Sequence, residues 1–168
     1  MSRAFVKEDD AGAPEEKVDL PISAHPNFVT PAGLQMLRDK AKEYEDERAA
    51  LKSHDSELSS QSHLPRVEQE LRYWEARLRT AIPVNLAKQP RDKVAFGAVV
   101  TVADEDGKER DYAIVGEDEA DPQAGKVSYV SPLARALDGA AVGDSIVWKR
   151  PAGDQELEVM AIRYEEGE

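Results

Sequence analysis

Two runs of this chain space their apolar residues three and four apart, and that spacing keeps them on one face only in a helix. Leu34, Leu37, Ala41, Tyr44, Arg48 and Leu51 follow the intervals 3-4-3-4-3, and Leu64, Val67, Leu71, Trp74, Leu78 and Ala81 repeat them. Each run is an a/d seam, Arg48 in the first being the one charged member of the two, and the residues around each are mostly charged. A helix with one apolar stripe does not hold in water alone. Joined by the polar stretch "SHDSELSSQSH", Ser53 to His63, the two stripes are expected to bury each other as an antiparallel coiled-coil hairpin. Thr30 and Pro31 supply an N-cap and a first-turn proline for the first helix; Pro65 marks an expected start of the second, and Pro83 its end. Arms of about 21 residues at ~1.5 Å per residue make a rod roughly 30 Å long.

The segments on either side read differently. Residues 1–28 hold Pro14, Pro21, Pro26 and the cluster Glu8-Asp9-Asp10, with little to build a core, and are expected to form a flexible acidic arm. After the hairpin of residues 29–82, the period changes to two. Val94 to Ala103 and Glu109 to Val115 are expected to pair as antiparallel strands around "DEDG", Asp104 to Gly107. "KVSYV", "DSIVWKR" and "LEVMAIRY" read as three more strands. Ser131 and Pro132 open a short helix ended by Gly139. Residues 83–168 are therefore expected to form a small, curved, mainly antiparallel sheet covering one short helix, and the whole chain is α+β.

Composition removes several classes of function. Without cysteine there are no disulfides, no thiol chemistry and no Cys-ligated zinc, and His25, His54 and His63 are too few for a histidine-rich metal site. The net charge of −12 opposes sequence-independent binding to nucleic acid and suits a basic protein partner. No run approaches the ~20 apolar residues that span a bilayer, so no membrane role is expected and a soluble, cytoplasmic monomer is.

The order of these parts resembles the Gre family of bacterial transcription elongation factors. The helix start at "TPAGLQML", the hairpin, then "KVAFGAVVTV", "YAIVGEDEAD", "SYVSPLARAL", "VGDSIVWKRPAG" and "LEVMAIRY" carry the resemblance. It is dense over residues 92–164 and looser over 28–82, and does not cover 1–27. It implies a C-terminal domain of FK506-binding-protein-like (FKBP-like) fold that docks on RNA polymerase, and a hairpin that enters the polymerase secondary channel. Nucleic acid would be met only indirectly, through the transcription complex. The family places two acidic residues at the hairpin tip to help hold a second Mg2+ at the polymerase active centre, so the factor has no separate active site and no intrinsic cofactor. It also implies a polymerase contact at the loop entering the short helix, here Val130, Ser131 and Pro132. Val130 replaces an acidic or amide residue frequent there, and Ser131 serves equally as a helix cap.

At the tip, Asp55 and Glu57 are the only carboxylates, and the family's pattern of an acidic residue after Gly, with Glu three positions on followed by Asn, is absent. Aligned on its helix ends, the hairpin is also short by roughly 14 residues, about seven per arm or ~10 Å of reach. Asp55 and Glu57 are thus the candidates for catalytic or Mg2+-holding carboxylates, against a solvated turn, which their spacing favours. Two other classes remain. One is a structural coiled-coil module. The other is a peptidyl-prolyl isomerase, whose proline pocket would have to come from Phe96, Tyr112, Tyr129, Trp148 and Tyr164.

Overall fold

The computed structural model describes residues 18–53 and 58–165. The seams form as read. Helix α1 spans Pro31–Ser53 and α2 spans Leu58–Thr80, packed along each other as a hairpin. Thr30 caps α1, its Oγ1 accepting from the Gly33 amide at 2.9 Å and its carbonyl from Leu34 at 2.9 Å. Leu37, Val67 and Leu71 are buried, while Tyr44, Arg48, Leu51 and Leu64 are half-buried, so the seam is tightest toward the base.

Pro65 does not start α2. The helix begins seven residues earlier and carries Pro65 inside it. A proline in a helix removes one backbone donor and crowds the preceding turn; here it sits in an exposed stretch on the side away from the seam, and the seam packing continues past it.

Order also begins earlier than Thr30. Phe28–Val29 (β1) pairs in parallel with Ile82–Pro83 (β2), the Ile82 amide donating to the Asn27 carbonyl and the Val84 amide to that of Val29. The two chain ends of the hairpin are thereby tied together at its base. Residues 18–27, expected to belong to a flexible arm, lie along α2: the Gln69 amide donates to the Val18 carbonyl at 2.7 Å, and Arg72 pairs with Asp19 at 2.6 Å. Residues 1–17 fall outside the described residues.

The second half is a five-stranded sheet of β3 (Ala98–Ala103), β4 (Glu109–Val115), β5 (Lys126–Ser128), β6 (Ser145–Trp148) and β7 (Gln155–Tyr164), in the order β5-β4-β3-β7-β6. The sheet is mainly antiparallel, as expected, with one parallel pairing, that of β5 with β4. The chain reaches that register through a turn of 3-10 helix at Pro122–Ala124, which carries it back along β4 before β5 starts. Strand β3 is also shorter than the run from Val94. Val94 instead exchanges backbone hydrogen bonds with Gly139 and Ala140 after the short helix α3 (Pro132–Leu137). Gly97 then turns the chain with φ 87°, where a Cβ would come within 2.2 Å of Leu86.

The turn at Asp104–Gly107 is as expected, with the Asp104 carboxylate accepting from the amides of Asp106 and Lys108. The curled sheet closes over α3, and Val100, Val102, Ile114, Leu133, Leu137 and Val159 fill the space between. Among the described residues no helix is long and apolar enough to cross a membrane.

Candidate functional site

Three places matter: the tip, the loop before α3, and the junction where the hairpin meets the sheet. At the tip, α1 ends at Ser53 and α2 begins at Leu58, so Asp55, Glu57 and His54 lie outside the described residues. Just below, Lys52 and Glu68 bridge the two helices at 3.9 Å. No group of three or more His, Asp or Glu that could hold a metal ion occurs among the described residues.

Ser131, in extended backbone, caps α3, its Oγ accepting from the Ala134 amide at 3.3 Å, with Pro132 in the first turn. Its own amide donates to the Ser128 carbonyl, and the Val130 amide to Ser128 Oγ, which fixes the entering loop at both positions. Val130 and Ser131 are half-buried and Pro132 is exposed. Next to them, the Tyr129 hydroxyl donates to the Pro26 carbonyl at 2.5 Å, and its ring meets Phe28 and Phe96 edge-on at 5.5 and 5.6 Å between centroids. The loop before α3 is thus joined directly to the base of the hairpin.

The junction itself turns on Arg77, which is only 1% exposed although it is charged. Its Nε donates to Asp118 Oδ2 at 2.5 Å and its Nη2 to Asn27 Oδ1 at 2.8 Å, with Glu117 Oε2 at 3.6 Å. Asn27 donates in turn to the Arg77 carbonyl. One helical turn earlier, Tyr73 donates its hydroxyl to Asp118 Oδ1 at 2.5 Å; burial, and then this hydrogen bond, hold its phenol well above the usual range. Ser23 donates to Glu117, and Thr30 to Glu119 at 2.5 Å. The acidic loop after β4 therefore grips α2, the N-cap of α1 and the segment before β1. It comes close because Gly116 has no side chain, since a Cβ there would lie 2.4 Å from the Phe28 carbonyl oxygen. A buried guanidinium needs acceptors, and its planar fork meets Asp118 and Asn27 in fixed directions, with the buried Glu117 Oε2 contributing charge without a hydrogen bond. These bonds tie the acidic loop of the sheet to the base of the hairpin.

This clasp is not visible in the seam pattern. Arg77 lies one position before Leu78, off the apolar stripe, and nothing in "GEDEAD" marks which of its carboxylates is buried. The signal, in hindsight, is Tyr73 and Arg77 at i, i+4 on one side of α2.

Arg48 is half-buried on the seam, and among the described residues it has no ion pair. The carboxylates across the hairpin at Glu68 and Glu70 are engaged elsewhere, Glu68 with Lys52 and Glu70 as acceptor from Trp74 Nε1 at 3.1 Å. An apolar residue would suit this site better. Arg48→Leu is expected to raise the melting temperature by ~2–4 °C in a thermal scan; a fall would mean the guanidinium is structurally needed.

Of the aromatic residues considered for a proline pocket, Tyr112 and Trp148 line a cavity of about 510 Å³ at the far end of the sheet. Arg110 and Arg150 cover the two rings, and Asp104 and Glu109 complete a polar wall. Tyr164 is engaged by backbone, accepting from Ala95 and donating to Lys93.

The family model "Transcription elongation factor, GreA/GreB, C-term" matches residues 89–164. A transcription elongation factor GreB of Neisseria meningitidis serogroup B is 33% identical over 153 residues, covering 82% of this chain and 94% of that one. A transcription elongation factor GreA of Beijerinckia indica is 34% identical over 152 residues, covering 82% and 97%. Among solved structures, a prokaryotic transcription elongation factor GreA/GreB from Nitrosomonas europaea is similar with a TM-score of 0.41 and 23% identity, over 82% of this chain and 98% of that one.

Proposed function

The chain belongs to the GreA/GreB family of transcription elongation factors, and from that premise we propose that it binds RNA polymerase through its sheet domain, places its hairpin in the secondary channel, and modulates elongation without promoting transcript cleavage. The observation that carries this reading is the clasp around Arg77. It makes the rod a stiff extension of the domain that presents Val130, Ser131 and Pro132, so that docking by one end determines where the other end lies. Two helices of 23 residues give a rod of ~34 Å, suited to reaching into a channel.

The absence of cleavage stimulation rests on the tip. Mg2+ takes near-octahedral oxygen ligands at ~2.1 Å, so carboxylates that help hold it must be placed within a few tenths of an ångström. Asp55 and Glu57 stand two apart, without the Gly, Glu and Asn of the family pattern. The relative from Neisseria meningitidis carries residues with no counterpart here, because 153 aligned positions exceed the 82% of this 168-residue chain that takes part in them. The protein itself would have no active site and would compete for the channel with relatives that do stimulate cleavage.

A double replacement separates the two roles of the tip. Asp55→Ala with Glu57→Ala is expected to leave affinity for core polymerase within about twofold, because solvated carboxylates contribute little to binding. Loss of a cleavage-stimulating activity in that variant, with binding intact, would make the tip carboxylates Mg2+ ligands after all.

A further inference from the structure

The cavity of about 510 Å³ at the far end of the sheet opens beside the turn at Asp104–Gly107, and none of its lining residues belongs to α3 or to the loop before it. Its floor is apolar. Val102, Tyr112 and Leu157 are buried there, and Trp148 stands edge-on to Tyr112 with ring centroids 6.1 Å apart. Over this floor lie two guanidiniums, Arg110 at 5.0 Å from the Tyr112 ring and Arg150 at 5.2 Å from that of Trp148. One backbone carbonyl steadies each: Arg110 Nη2 donates to Pro122 at 3.5 Å and Arg150 Nε to Gly153 at 3.3 Å. Among the described residues neither is paired with a carboxylate, although the chain carries a net charge of −12. The carboxylates nearby are held elsewhere. Asp104 accepts from the amides of Asp106 and Lys108, and Asp111 from Thr101 and Arg163. Glu109 reaches only the rim, because neighbours in a strand point to opposite faces.

We propose that this cavity binds a short acidic peptide segment, in which an Asp or Glu carboxylate adjoins an apolar side chain. The carboxylate is held by Arg110 and Arg150, and the apolar side chain lies against Tyr112 and Trp148. Charge and shape select this ligand. A guanidinium lying on a ring keeps its donors in one plane, where two of them meet the oxygens of a carboxylate side by side. Each has five N–H donors, and the single carbonyl that steadies it leaves most of them for a ligand. A phosphate or a nucleic acid is disfavoured, since it brings more negative charge to a rim that already holds Asp104 and Glu109. A neutral segment leaves both guanidiniums without an acceptor. The cavity volume lies in the range of small-ligand sites.

The two tryptophans, Trp74 and Trp148, give two indole N–H signals in an NMR spectrum of the isotope-labelled full-length protein. Titration with the blocked peptide acetyl-Gly-Phe-Glu-Leu-Gly-amide is expected to shift the Trp148 signal saturably and to leave Trp74, on the hairpin, in place. The same peptide with Gln for Glu should bind the unaltered protein about tenfold more weakly or worse, the loss expected when a charged acceptor is removed. Arg110→Gln with Arg150→Gln should weaken the Glu peptide by a similar factor, and ~1 M salt should weaken it too. Equal binding of the two peptides, or no saturable shift with either, would overturn the proposal. So would inorganic phosphate displacing the peptide at equal concentration, which makes the site one for anions at large. Binding of acetyl-Ala-Pro-Ala-amide as tightly as the Glu peptide would also overturn it, in favour of a proline site. Because no polymerase is present, none of these results bears on whether the hairpin enters it.

Discussion

Arg77→Ala is expected to cost about 3–5 kcal/mol of unfolding free energy, the range found when one partner of a buried ion pair is removed. The cause is not lost attraction alone. Without the guanidinium, the nearly buried Asp118 carboxylate and its neighbour Glu117 face each other without a counter-charge, and Asn27 loses the group that its Oδ1 accepts from. Arg77→Lys should recover only a small part, since one ammonium cannot reach Asn27 and Asp118 in the directions the planar fork does. Urea unfolding followed by helical circular dichroism measures this directly. Arg79→Ala, two residues on and exposed, serves as the control and should change stability by no more than ~0.5 kcal/mol. A cost below ~1 kcal/mol for Arg77→Ala would show that the clasp does not secure the hairpin.

The second large effect lies on the seam. Leu37 has no exposed surface and sits near the base of α1, where the hairpin also meets β1 and the acidic loop. Leu37→Ala is expected to destabilise by about 2–5 kcal/mol, from the lost transfer of the side chain plus the cavity left in a place held from several sides. Leu51→Ala, half-buried and close to the tip, should cost clearly less. Equal costs would mean that the seam is uniformly tight and that the base has no special part in holding the rod.

What could be read from the sequence follows the range of the interactions. The two seams, the Asp104–Gly107 turn and the Ser131 cap are written in residues within one or two turns of each other, and each of these features is found where the pattern put it. The start of α2 was misread because Pro65 is a good first-turn residue and also a tolerable interior one on an exposed face; the seam before it gave no vote, as it has only Leu64 to show. The parallel pairing of β5 was not legible either, since a three-residue strand carries no mark of its direction.

The least legible feature is the junction. Arg77 and Asp118 are 41 residues apart, and Asn27 is 50 from Arg77, so neither period nor spacing connects them. Burial of an arginine is what the sequence conceals best, because the same residue type covers every exposed helix face. The two-residue strands β1 and β2 are concealed for a similar reason. They pair only because the hairpin brings its own ends together, and a segment with Pro26 and little apolar content gives no sign of it. For the candidate site, the resemblance to a known family pointed to Val130, Ser131 and Pro132, and the cap geometry of Ser131 was readable from Ser-Pro alone. The bond from the Tyr129 hydroxyl to the Pro26 carbonyl, which joins that loop to the base of the hairpin, was not.

The central claim is that the hairpin occupies the polymerase channel without completing a metal site. Its most direct test is the rate of RNA cleavage in a backtracked elongation complex, measured with and without the full-length protein and again with a cleavage-stimulating relative present. The account predicts no acceleration by the protein alone, and a concentration-dependent slowing of the cleavage driven by the relative. Faster cleavage on adding the protein alone would contradict it.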